Sequence, residues 1–502
     1  MKLLFIQLRY ESNMAVMCLS SFLKHKGYET DVIIIEGENN YVTKVKEQLR
    51  PDIIGFSAAT VDIKRLLTIN KTLKANFDFF SVFGGPHPTF FPELIEEGHP
   101  IDALCIGEGE YAMEELLDNL KNGRSIKHIE NLYVIEDGRV IKNPLRPLIK
   151  DLDELPFLDK HIYSAYYCNP YLLENVPIRF LSSRGCPYKC TYCMNHKYFE
   201  LYGVTGNQVR RRTVDSIIRE IKETRTNFSV PMVSFVDDIF CIPKKWVKRF
   251  AEEYSREVAL PYSINTRPNT ITEEIAALLQ KSGCYYVTFS IESGDEFLRN
   301  NVLNRNIAYK DIVQAADILH KYKIRFCTGN MLGIPGETLE TLKKTVKLNH
   351  RCSPHYAWAS LFQPFPKLKL TEYAIQHGYF NGDFGAIGTD QFADSPLKMD
   401  NMRLIVRFHK FFALLVRYPQ LLPMVSLLVR LPLDRCYNWL FNKYKIRLNL
   451  PVIRASKELL EKQSSESFLT ATIYLFRNYF EDFCIWNKSI LIQTVFKKKY
   501  EE

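Results

Sequence analysis

Apolar positions in the first quarter of the chain follow two different rhythms. Continuous apolar runs such as "KLLFIQL", "DVIIIEG", "DIIGFSAAT", "FFSVFGG" and "DALCIGEGE" alternate with segments in which apolar residues recur every three or four positions, such as "MAVMCLSSFLKHKG" and "YAMEELLDNL". Unbroken apolar runs are typical of parallel strands buried on both faces, and the second rhythm is typical of amphipathic helices. The pattern therefore predicts a doubly wound, Rossmann-like α/β domain of about five strands over residues 1–131.

Small and polar residues follow three of these predicted strands, at the edge where doubly wound sheets bind ligands. They are Ser57, Gly84, Gly85, His87, Gly107, Glu108 and Gly109. Glycine lets the backbone approach a ligand closely, although the same segments are also typical of plain turns. The first strand is not followed by GxGxxG or by a phosphate-loop lysine, which disfavours a dinucleotide or a nucleoside triphosphate.

Strand and helix patterns alternate again in the middle of the chain. Residues 132–171 are short polar and proline-bearing pieces such as "KNPLRPLIKDLDELPFLDK", and they indicate a linker. Residues 172–400 contain six strand patterns, "IRFLSSRG", "VSFVDDIF", "YSINTRPN", "YYVTFSIES", "RFCTGNMLGIPGE" and "ASLFQPFP", with helical patterns between them. Six βα units predict a partial (β/α)6 barrel of the TIM type, with its active site at the carboxyl ends of the strands.

The last part, residues 401–502, has helical periodicity without strand patterns, and it also carries the charge of the chain. The 502 residues have a net charge of +9, and this part holds 17 Lys and Arg against 8 Asp and Glu, an excess equal to that of the whole chain. Its uncharged run, 418–429, is broken by Pro419 and Pro423 and is shorter than the roughly 20 residues that span a bilayer. Two interpretations stay open, namely helices lying on an anionic membrane surface and a helical cap on the barrel. Nucleic acid is disfavoured, because the aromatic residues are interleaved with aliphatic ones.

The spacing of the cysteines limits the kinds of disulfide or metal site that the chain could form. Nine of the 12 cysteines are isolated, which does not match a secreted disulfide framework, and the N-terminus lacks a signal-peptide pattern, so we expect a cytoplasmic protein. The other three, Cys186, Cys190 and Cys193, lie within "CPYKCTYC". With His196 they could form a four-ligand zinc site. Cubane iron–sulfur clusters usually have four thiolate ligands, so three would leave one iron open to a small molecule.

The segment "CPYKCTYC", with Tyr192 before its last cysteine, resembles the CxxxCxxC signature of the radical S-adenosylmethionine (SAM) enzymes. The resemblance implies a 4Fe-4S cluster on the three cysteines, with SAM chelated to the open iron and cleaved by an electron from the cluster. The segments "FVDDIF", "FSIESGD" and "NMLGIPGET" occur in the order in which that family contacts SAM. The SAM-binding residues implied are Tyr192, Asp237, Asp238, Glu292, Gly333, Gly336 and Glu337.

The segments "VFGGPHPTFFPE" and "IDALCIGEGE", upstream of the triad, make residues 1–400 similar to the cobalamin-binding class of these enzymes. This implies cobalamin between the two domains, contacted by Ser57, Gly84, Gly85, His87, Gly107, Glu108 and Gly109. The chain lacks the DxHxxG motif that supplies a lower cobalt ligand in other cobalamin proteins, and His87 is not assigned that role.

The resemblance implies methylation of an unactivated carbon, with methyl groups supplied by SAM and carried by cobalt. Ring formation, oxidation or another rearrangement is the alternative, and a cobalamin-binding sensor that is not an enzyme is a third hypothesis. Expected partners are a small-molecule or lipid substrate, an electron donor such as flavodoxin or ferredoxin, and a peripheral membrane surface. The sequence does not identify the substrate.

Overall fold

A computed structural model describes residues 1–9, 11–35, 38, 40–167, 177–204, 209–388, 392–439 and 441. In the N-terminal part, the described residues form one sheet in the order β2-β1-β3-β4-β5-β6-β7. Its strands are β1 (Lys2–Gln7), β2 (Glu29–Ile34), β3 (Ile53–Ser57), β4 (Phe80–Gly84), β5 (Ala103–Cys105), β6 (Leu132–Glu136) and β7 (Arg139–Lys142). The first five strands are parallel, which confirms the doubly wound α/β prediction.

Helices cover this sheet, and side-chain caps mark where several of the helices of the chain begin. In the N-terminal part they are α1 (Met14–His25), α2 (Tyr41–Thr43), α3 (Ile63–Lys74), α4 (Pro86–Phe90) and α5 (Glu110–Lys121), with a π-helical turn at Lys44–Leu49 and a 3₁₀ turn at Pro92–Glu96. Asn13 accepts hydrogen bonds from the first N–H groups of α1, at 3.0 Å from Ala15 N. Such a cap satisfies backbone donors that have no partner within the helix.

The hairpin β6–β7 extends the sheet in antiparallel fashion, and it was not predicted. It occupies the start of residues 132–171, which we expected to be a linker. Its turn contains Asp137 and Gly138, both with positive φ (51° and 71°), and Asp-Gly is the preferred pair for a two-residue hairpin turn. The remaining linker has 3₁₀ turns at Leu152–Glu154 and Lys160–Tyr163 and a short helix, α6 (Ser164–Tyr167).

The second sheet has six parallel strands among the described residues, in the order β15-β14-β13-β12-β11-β8. They are β8 (Ile178–Phe180), β11 (Val233–Phe235), β12 (Tyr262–Thr266), β13 (Cys284–Glu292), β14 (Arg325–Leu332) and β15 (Tyr356–Leu361). A short antiparallel ribbon, β9 (Ser183–Arg184) with β10 (Arg210–Arg211), stands beside them. Each strand matches one predicted βα unit, and β8 and β15 end the sheet, so the barrel is partial as expected.

Helices surround this barrel on its outer face. They are α7 (Met194–Leu201), α8 (Val214–Asn227), α9 (Lys244–Glu257), α10 (Glu273–Lys281), α11 (Tyr309–Lys321), α12 (Leu339–Cys352) and α13 (Lys369–Gln376). Shorter 3₁₀ or π turns occur at Pro268–Thr270, Leu298–Val302 and Phe384–Ala386. Val233, Phe235 and Ile264 pack outward against the helices, while the alternate side chains Ser234 and Ser263 hydrogen-bond each other at 3.1 Å. The inner face is therefore polar at these positions.

The described C-terminal part forms helices α14 (Met402–Arg417) and α15 (Leu422–Leu428), joined by the turn Pro419–Leu421. Helix α14 packs on β15 and α12, and it buries Ile405, Phe408 and Phe412 there. Helix α14 is therefore a cap on the barrel edge, as one of the two interpretations expected. The rest of the predicted helical region, from residue 442 onward, lies outside the described residues. No described helix combines the length and the apolar character needed to cross a membrane.

Candidate functional site

The three cysteines lie on the loop that follows β9, at the carboxyl edge of the barrel strands. All three are free thiols; Cys190 is buried, and Cys186 and Cys193 are half-buried. The N–H of Cys193 donates to the carbonyl oxygen of Cys190 at 3.1 Å, and α7 begins at the next residue. Burial raises the pKa of Cys186 and raises that of Cys193 to about 12, so these thiols hold their protons until a metal displaces them.

A cationic side chain lies beside this triad. Arg267, which follows β12, is buried, and its Nη1 donates to Cys190 Sγ at 3.3 Å. Its guanidinium stacks on Tyr188 at 3.6 Å from the ring centroid, and Asn269 Nδ2 donates to the Tyr188 hydroxyl. Cys190 thus has a hydrogen-bond donor and a positive charge beside its sulfur.

The arrangement of the triad can be compared with the needs of each metal group. Among the described residues, no three His, Cys, Asp or Glu side chains converge closely enough to hold one metal ion. A closed zinc site would need the three thiolates and His196 at about 2.0–2.3 Å from a single ion. A cubane binds each thiolate through a different iron, and its ligands need not converge on one point. Three free thiols beside a cation therefore fit the expected 4Fe-4S cluster.

Asp237 and Asp238 follow β11 at the same edge of the barrel. Asp237 is fully buried, and its Oδ1 accepts hydrogen bonds from Ser182 Oγ at 2.9 Å and Ser183 Oγ at 2.5 Å. Its Oδ2 is buried without a hydrogen-bond partner among the described residues, so it can accept from a bound amino group. Asp238 is exposed beside it. Their predicted role in binding SAM stays a prediction.

Tyr192 and Glu292, both predicted to contact SAM, are in contact with each other. The Tyr192 hydroxyl donates to Glu292 Oε1 at 3.0 Å, and Arg305 Nη1 donates to the same hydroxyl at 2.5 Å. Glu292 is buried at the end of β13 with a left-handed backbone (φ 64°), and burial raises the pKa of its carboxyl. This backbone conformation costs free energy for a residue with a side chain, and such strain concentrates at functional sites.

Glu337 holds the turn that follows β14. Its Oε2 accepts from the N–H of Gly333 at 2.6 Å, and its Oε1 is buried without a hydrogen-bond partner in the described chain. Burial raises the pKa of Glu337 to about 8. Gly333 and Gly336 both have positive φ, so the turn needs glycine. A contact of this turn with the adenine of SAM stays a prediction.

The ends of β3 and β4 approach each other closely. Gly85 has φ +96°, and a Cβ there would lie 3.0 Å from Ala58 N and 3.4 Å from Ser57 Oγ, whereas a Cβ at Gly84 would meet its nearest neighbour at 3.6 Å. His87 Nδ1 hydrogen-bonds Thr60 Oγ1 at 3.1 Å, and burial lowers the pKa of this imidazole to about 4. Gly85 is thus fixed by the protein backbone itself, and His87 is neutral with a local partner.

The segment after β5 reaches the barrel domain. A Cβ at Gly107 would fall 1.7 Å from the hydroxyl oxygen of Tyr202, and that oxygen accepts from the N–H of Glu108 at 3.2 Å. The Glu108 carboxylate binds Arg184 at 2.8 Å and Arg210 at 2.9 Å. A Cβ at Gly109 would meet Cys105 Sγ at 3.2 Å. Gly107 and Glu108 therefore form an interdomain contact, and their predicted contact with cobalamin stays a prediction.

These contacts join the loop after β5 to the ribbon beside the cysteine triad, because Arg184 lies two residues before Cys186. Five side chains were missed by sequence reasoning; Arg184, Tyr202 and Arg210 lie at this junction, and Arg267 and Arg305 lie beside Cys190 and the Tyr192–Glu292 pair. Only Arg184, inside "SSRGC", adjoins a recognised motif. The others come from chain segments whose proximity only the fold establishes.

Comparison with known proteins gives two family matches. Residues 180–348 match the radical SAM superfamily, and residues 9–117 match the B12 binding domain. An uncharacterized methyltransferase of Pyrococcus horikoshii is 32% identical over 356 residues, which cover 69% of this chain and 75% of the relative.

Two further proteins are similar. The anaerobic magnesium-protoporphyrin IX monomethyl ester cyclase of Rubrivivax gelatinosus is 29% identical over 391 residues, covering 73% of this chain and 68% of the relative. The radical SAM methyltransferase TsrM of Kitasatospora setae, solved with cobalamin and a [4Fe-4S] cluster, has a TM-score of 0.63 at 17% identity, with 75% of each chain covered. That structural likeness concerns the fold.

Proposed function

The chain belongs to the cobalamin-binding radical SAM enzymes, and on that premise we propose that it transfers a methyl group from SAM to an unactivated carbon of a small-molecule or lipid substrate. As a member of this family it is an enzyme that uses a 4Fe-4S cluster, SAM and cobalamin. The observation that carries the proposal is the junction at Glu108, where the strand-end loop of the cobalamin-type domain contacts the two short strands that flank the loop of three thiols. A methyltransferase relative at 32% identity supports methyl transfer over other radical chemistry.

We assign the residues as follows. Cys186, Cys190 and Cys193 hold the cluster, and Tyr192, Asp237, Asp238, Glu292, Gly333 and Glu337 surround SAM. Ser57, Gly84, Gly85, His87, Gly107, Glu108 and Gly109 edge the cobalamin pocket. When bound, the cofactors supply the radical and the methyl group, and the chain contributes the orientation of both and the exclusion of water.

The polar inner face of the barrel favours a substrate that carries hydrogen-bonding groups. The inward strand positions include Ser234 and Ser263, which bond each other at 3.1 Å. Barrels of this architecture usually fill their interior with branched apolar side chains. Buried polar atoms of a bound molecule need hydrogen-bond partners, and hydroxyl groups at these inward positions can supply them.

A test of the cluster comes first. Anaerobic reconstitution of the wild-type chain should load about one 4Fe-4S cluster, because three thiolates and SAM complete its four iron sites. Replacement of Cys186, Cys190 and Cys193 by alanine should abolish the visible absorption of the cluster and reductive SAM cleavage. Persistent SAM cleavage by the triple variant, or stoichiometric zinc in the wild type under iron-replete conditions, would contradict the assignment. SAM cleavage by the wild type would also exclude a sensor without catalysis.

The second candidate reaction is a cyclization or oxidation without methyl transfer, and the 29% identity to a cyclase favours it. Methyl-labelled SAM distinguishes the two reactions. An extract supplied with labelled SAM and active enzyme should give a product that carries the label if the chain is a methyltransferase. A product altered in mass but free of label would establish the alternative. Comparing metabolites of strains with and without this protein would identify the substrate.

We propose flavodoxin or ferredoxin as the electron donor and a cytoplasmic location at a membrane surface. The membrane proposal rests on exposed apolar side chains of the C-terminal part; they are Tyr418, Met424, Leu427, Leu431, Leu433 and Trp439. Arg417, Arg430 and Arg435 of the same segment are also exposed, and Asp434 is paired with Arg407 at 2.8 Å. Exposed basic, apolar and aromatic side chains in one segment match an anionic lipid surface.

The vesicle experiment compares the wild type with Leu427→Ser/Trp439→Ser. Wild-type protein should sediment with anionic vesicles, less so as salt rises, because the Debye length shortens to about 3 Å at 1 M salt. The double variant should sediment less at every salt concentration. Equal sedimentation of both proteins, or none with any vesicle, would reject the membrane proposal.

A further inference from the structure

Two arginines face each other across the short ribbon that carries the cluster loop. In the antiparallel pair β9–β10, Arg184 and Arg210 occupy directly opposite positions. Like charges directly opposite each other on two strands destabilise the pair. The ribbon also brackets the loop that contains all three cysteines, because β9 ends two residues before Cys186 and β10 begins after α7. Whatever neutralises this arginine pair therefore determines how firmly the two ends of the cluster loop are held.

The neutralising group comes from the other domain. Glu108 is nearly buried between the two guanidinium groups, 2.8 Å from Arg184 Nη1 and 2.9 Å from Arg210 Nη1. Its second oxygen accepts from the N–H of Ile149 at 2.9 Å, and Glu110 adds a contact of 2.6 Å to Arg184. Burial alone would raise the pKa of Glu108, but Arg184 and Arg210 hold it below its usual value. The carboxylate is thus an anion held between two cations on the strands that flank the cluster loop.

The same loop of the first domain carries the glycines assigned to the cobalamin pocket. Gly107 touches the hydroxyl of Tyr202, and Tyr202 follows the cluster-loop helix α7. If the proposed cobalamin site is correct, this one short loop contributes backbone to cobalamin and the Glu108 carboxylate to the two strands that flank the cluster loop.

We propose that Glu108 is a positioning residue that couples cobalamin binding to retention of the iron–sulfur cluster, by neutralising the opposed Arg184 and Arg210. This inference rests on the two cofactors of the proposed function and not on methyl transfer. Coupling between two sites is reciprocal, so cobalamin protects the cluster as much as the cluster tightens cobalamin binding.

The experiment measures the rate at which an iron chelator bleaches the reconstituted cluster, with and without hydroxocobalamin, in the full chain under anaerobic conditions. In the wild type, cobalamin should slow bleaching by at least about fivefold, at the lower end of typical coupling factors. Glu108→Gln keeps the shape of the side chain but removes the anion between the two arginines, so that Arg210 loses its carboxylate partner while Arg184 keeps only Glu110. It should bleach faster without cobalamin and should lose most of the protection by cobalamin.

Two further variants separate coupling from a general loss of structure. Glu93→Gln removes another ion pair between the domains, with Lys367 at 2.9 Å, which is exposed and involves no cluster-loop residue, so it should behave as the wild type does. Glu108→Gln/Arg210→Gln removes one of the opposed charges and should recover most of the wild-type bleaching rate without cobalamin. Thermal unfolding of each apoprotein reports whether the fold is intact.

Three outcomes would overturn the proposal. In the first, Glu108→Gln retains full protection by cobalamin. In the second, it binds no cobalamin but bleaches at the wild-type rate without cobalamin, which would make Glu108 a cobalamin contact only. In the third, Glu93→Gln loses protection to the same extent, so that any loosening between the domains suffices. Failure of methyl transfer in a substrate assay would affect none of these readouts.

Discussion

At the scale of single residues, the contact of Arg267 with Cys190 has the most direct chemical consequence. The guanidinium donates to the sulfur at 3.3 Å. Because Arg267 is buried, water screens the positive charge of the guanidinium from the sulfur only weakly. Hydrogen bonds to cluster sulfurs and nearby charge both set the reduction potential. The electron that enters the cluster should therefore be stabilised by Arg267.

Arg267→Met should shift the reduction potential of the reconstituted cluster to more negative values, because the reduced cluster loses both a donor and a cation. Anaerobic redox titration followed by electron paramagnetic resonance measures the shift. Arg249→Met, which changes an exposed arginine of α9, is the matched control. A potential equal to that of the control would show that Arg267 serves only the packing of Tyr188.

Glu337 should make the free energy of unfolding of the protein depend on pH. Its pKa is about 8 in the folded chain against 4.5 for the ordinary carboxyl, so the folded state holds the proton more tightly. Stability is fully present below about pH 4.5 and declines as the pH rises towards 8, by on the order of a few kcal/mol. Glu337→Gln should remove this decline in thermal unfolding of the apoprotein between pH 5 and 9. Glu340→Gln, an exposed neighbour, should leave it unchanged.

The residues that sequence could predict at this site are those inside motifs. The three cysteines, Tyr192 and Glu292 could be predicted because their spacing or local setting is recognisable in the chain itself. Arg267 and Arg305 contact Cys190 and Tyr192, which are distant from them in sequence. No local sequence motif identifies either arginine. The bond between Tyr192 and Glu292 shows the same limit, since both residues were predicted but their contact was not.

At the scale of elements, the parallel strands were predicted well because burial on both faces leaves unbroken apolar runs. The hairpin β6–β7 was overlooked although "VIEDGRV" contains the Asp-Gly pair between apolar segments. Its strands are half-buried and short, and the surrounding prolines dominated the local pattern. The helical character of α14 was predicted, but its packing on β15 depends on the open edge of the barrel.

The cap formed by α14 predicts a sharp difference between two apolar residues of the C-terminal part. Phe408→Ala, in a fully buried position, should destabilise the protein by about 3–5 kcal/mol, since it leaves a cavity against the barrel. Leu427→Ala, in an exposed position, should leave the free energy of unfolding unchanged. Chemical denaturation of the apoproteins measures both. Equal stability of the two variants would mean that α14 does not contribute to the barrel core.

At the scale of the whole molecule, a buried ion cluster joins the linker to the barrel. Lys160 of the linker contacts Glu220 of α8 at 2.6 Å, Arg212 binds the second oxygen of the same carboxylate, and all three side chains are buried. A buried charge that loses its partner is costly, because water no longer solvates it. The cluster thus makes the position of the linker depend on one carboxylate.

Glu220→Gln should destabilise the chain by about 3–5 kcal/mol, because it leaves Lys160 buried without its anion and Arg212 with only the longer pair to Asp153 at 3.7 Å. Denaturant unfolding measures the loss, and limited proteolysis within the linker should become faster. The control is Glu257→Gln, which breaks an equally short but exposed pair with Lys222 and should change neither quantity. Unchanged proteolysis in Glu220→Gln would show that the linker is held by its other contacts.

The hairpin β6–β7 also affects how readily another chain could pair with the edge of the first sheet. Its outer strand, β7, ends the sheet, and such a strand presents unpaired backbone groups to which another chain could add. Arg139 and Lys142 stand exposed at its two ends, and Lys142 pairs with Glu96 at 2.9 Å. A strand only four residues long with a cation at each end is a poor template for edge-to-edge pairing. Without the hairpin, the apolar strand β5 would become the edge, so this small addition covers the backbone groups at which another chain could pair most readily.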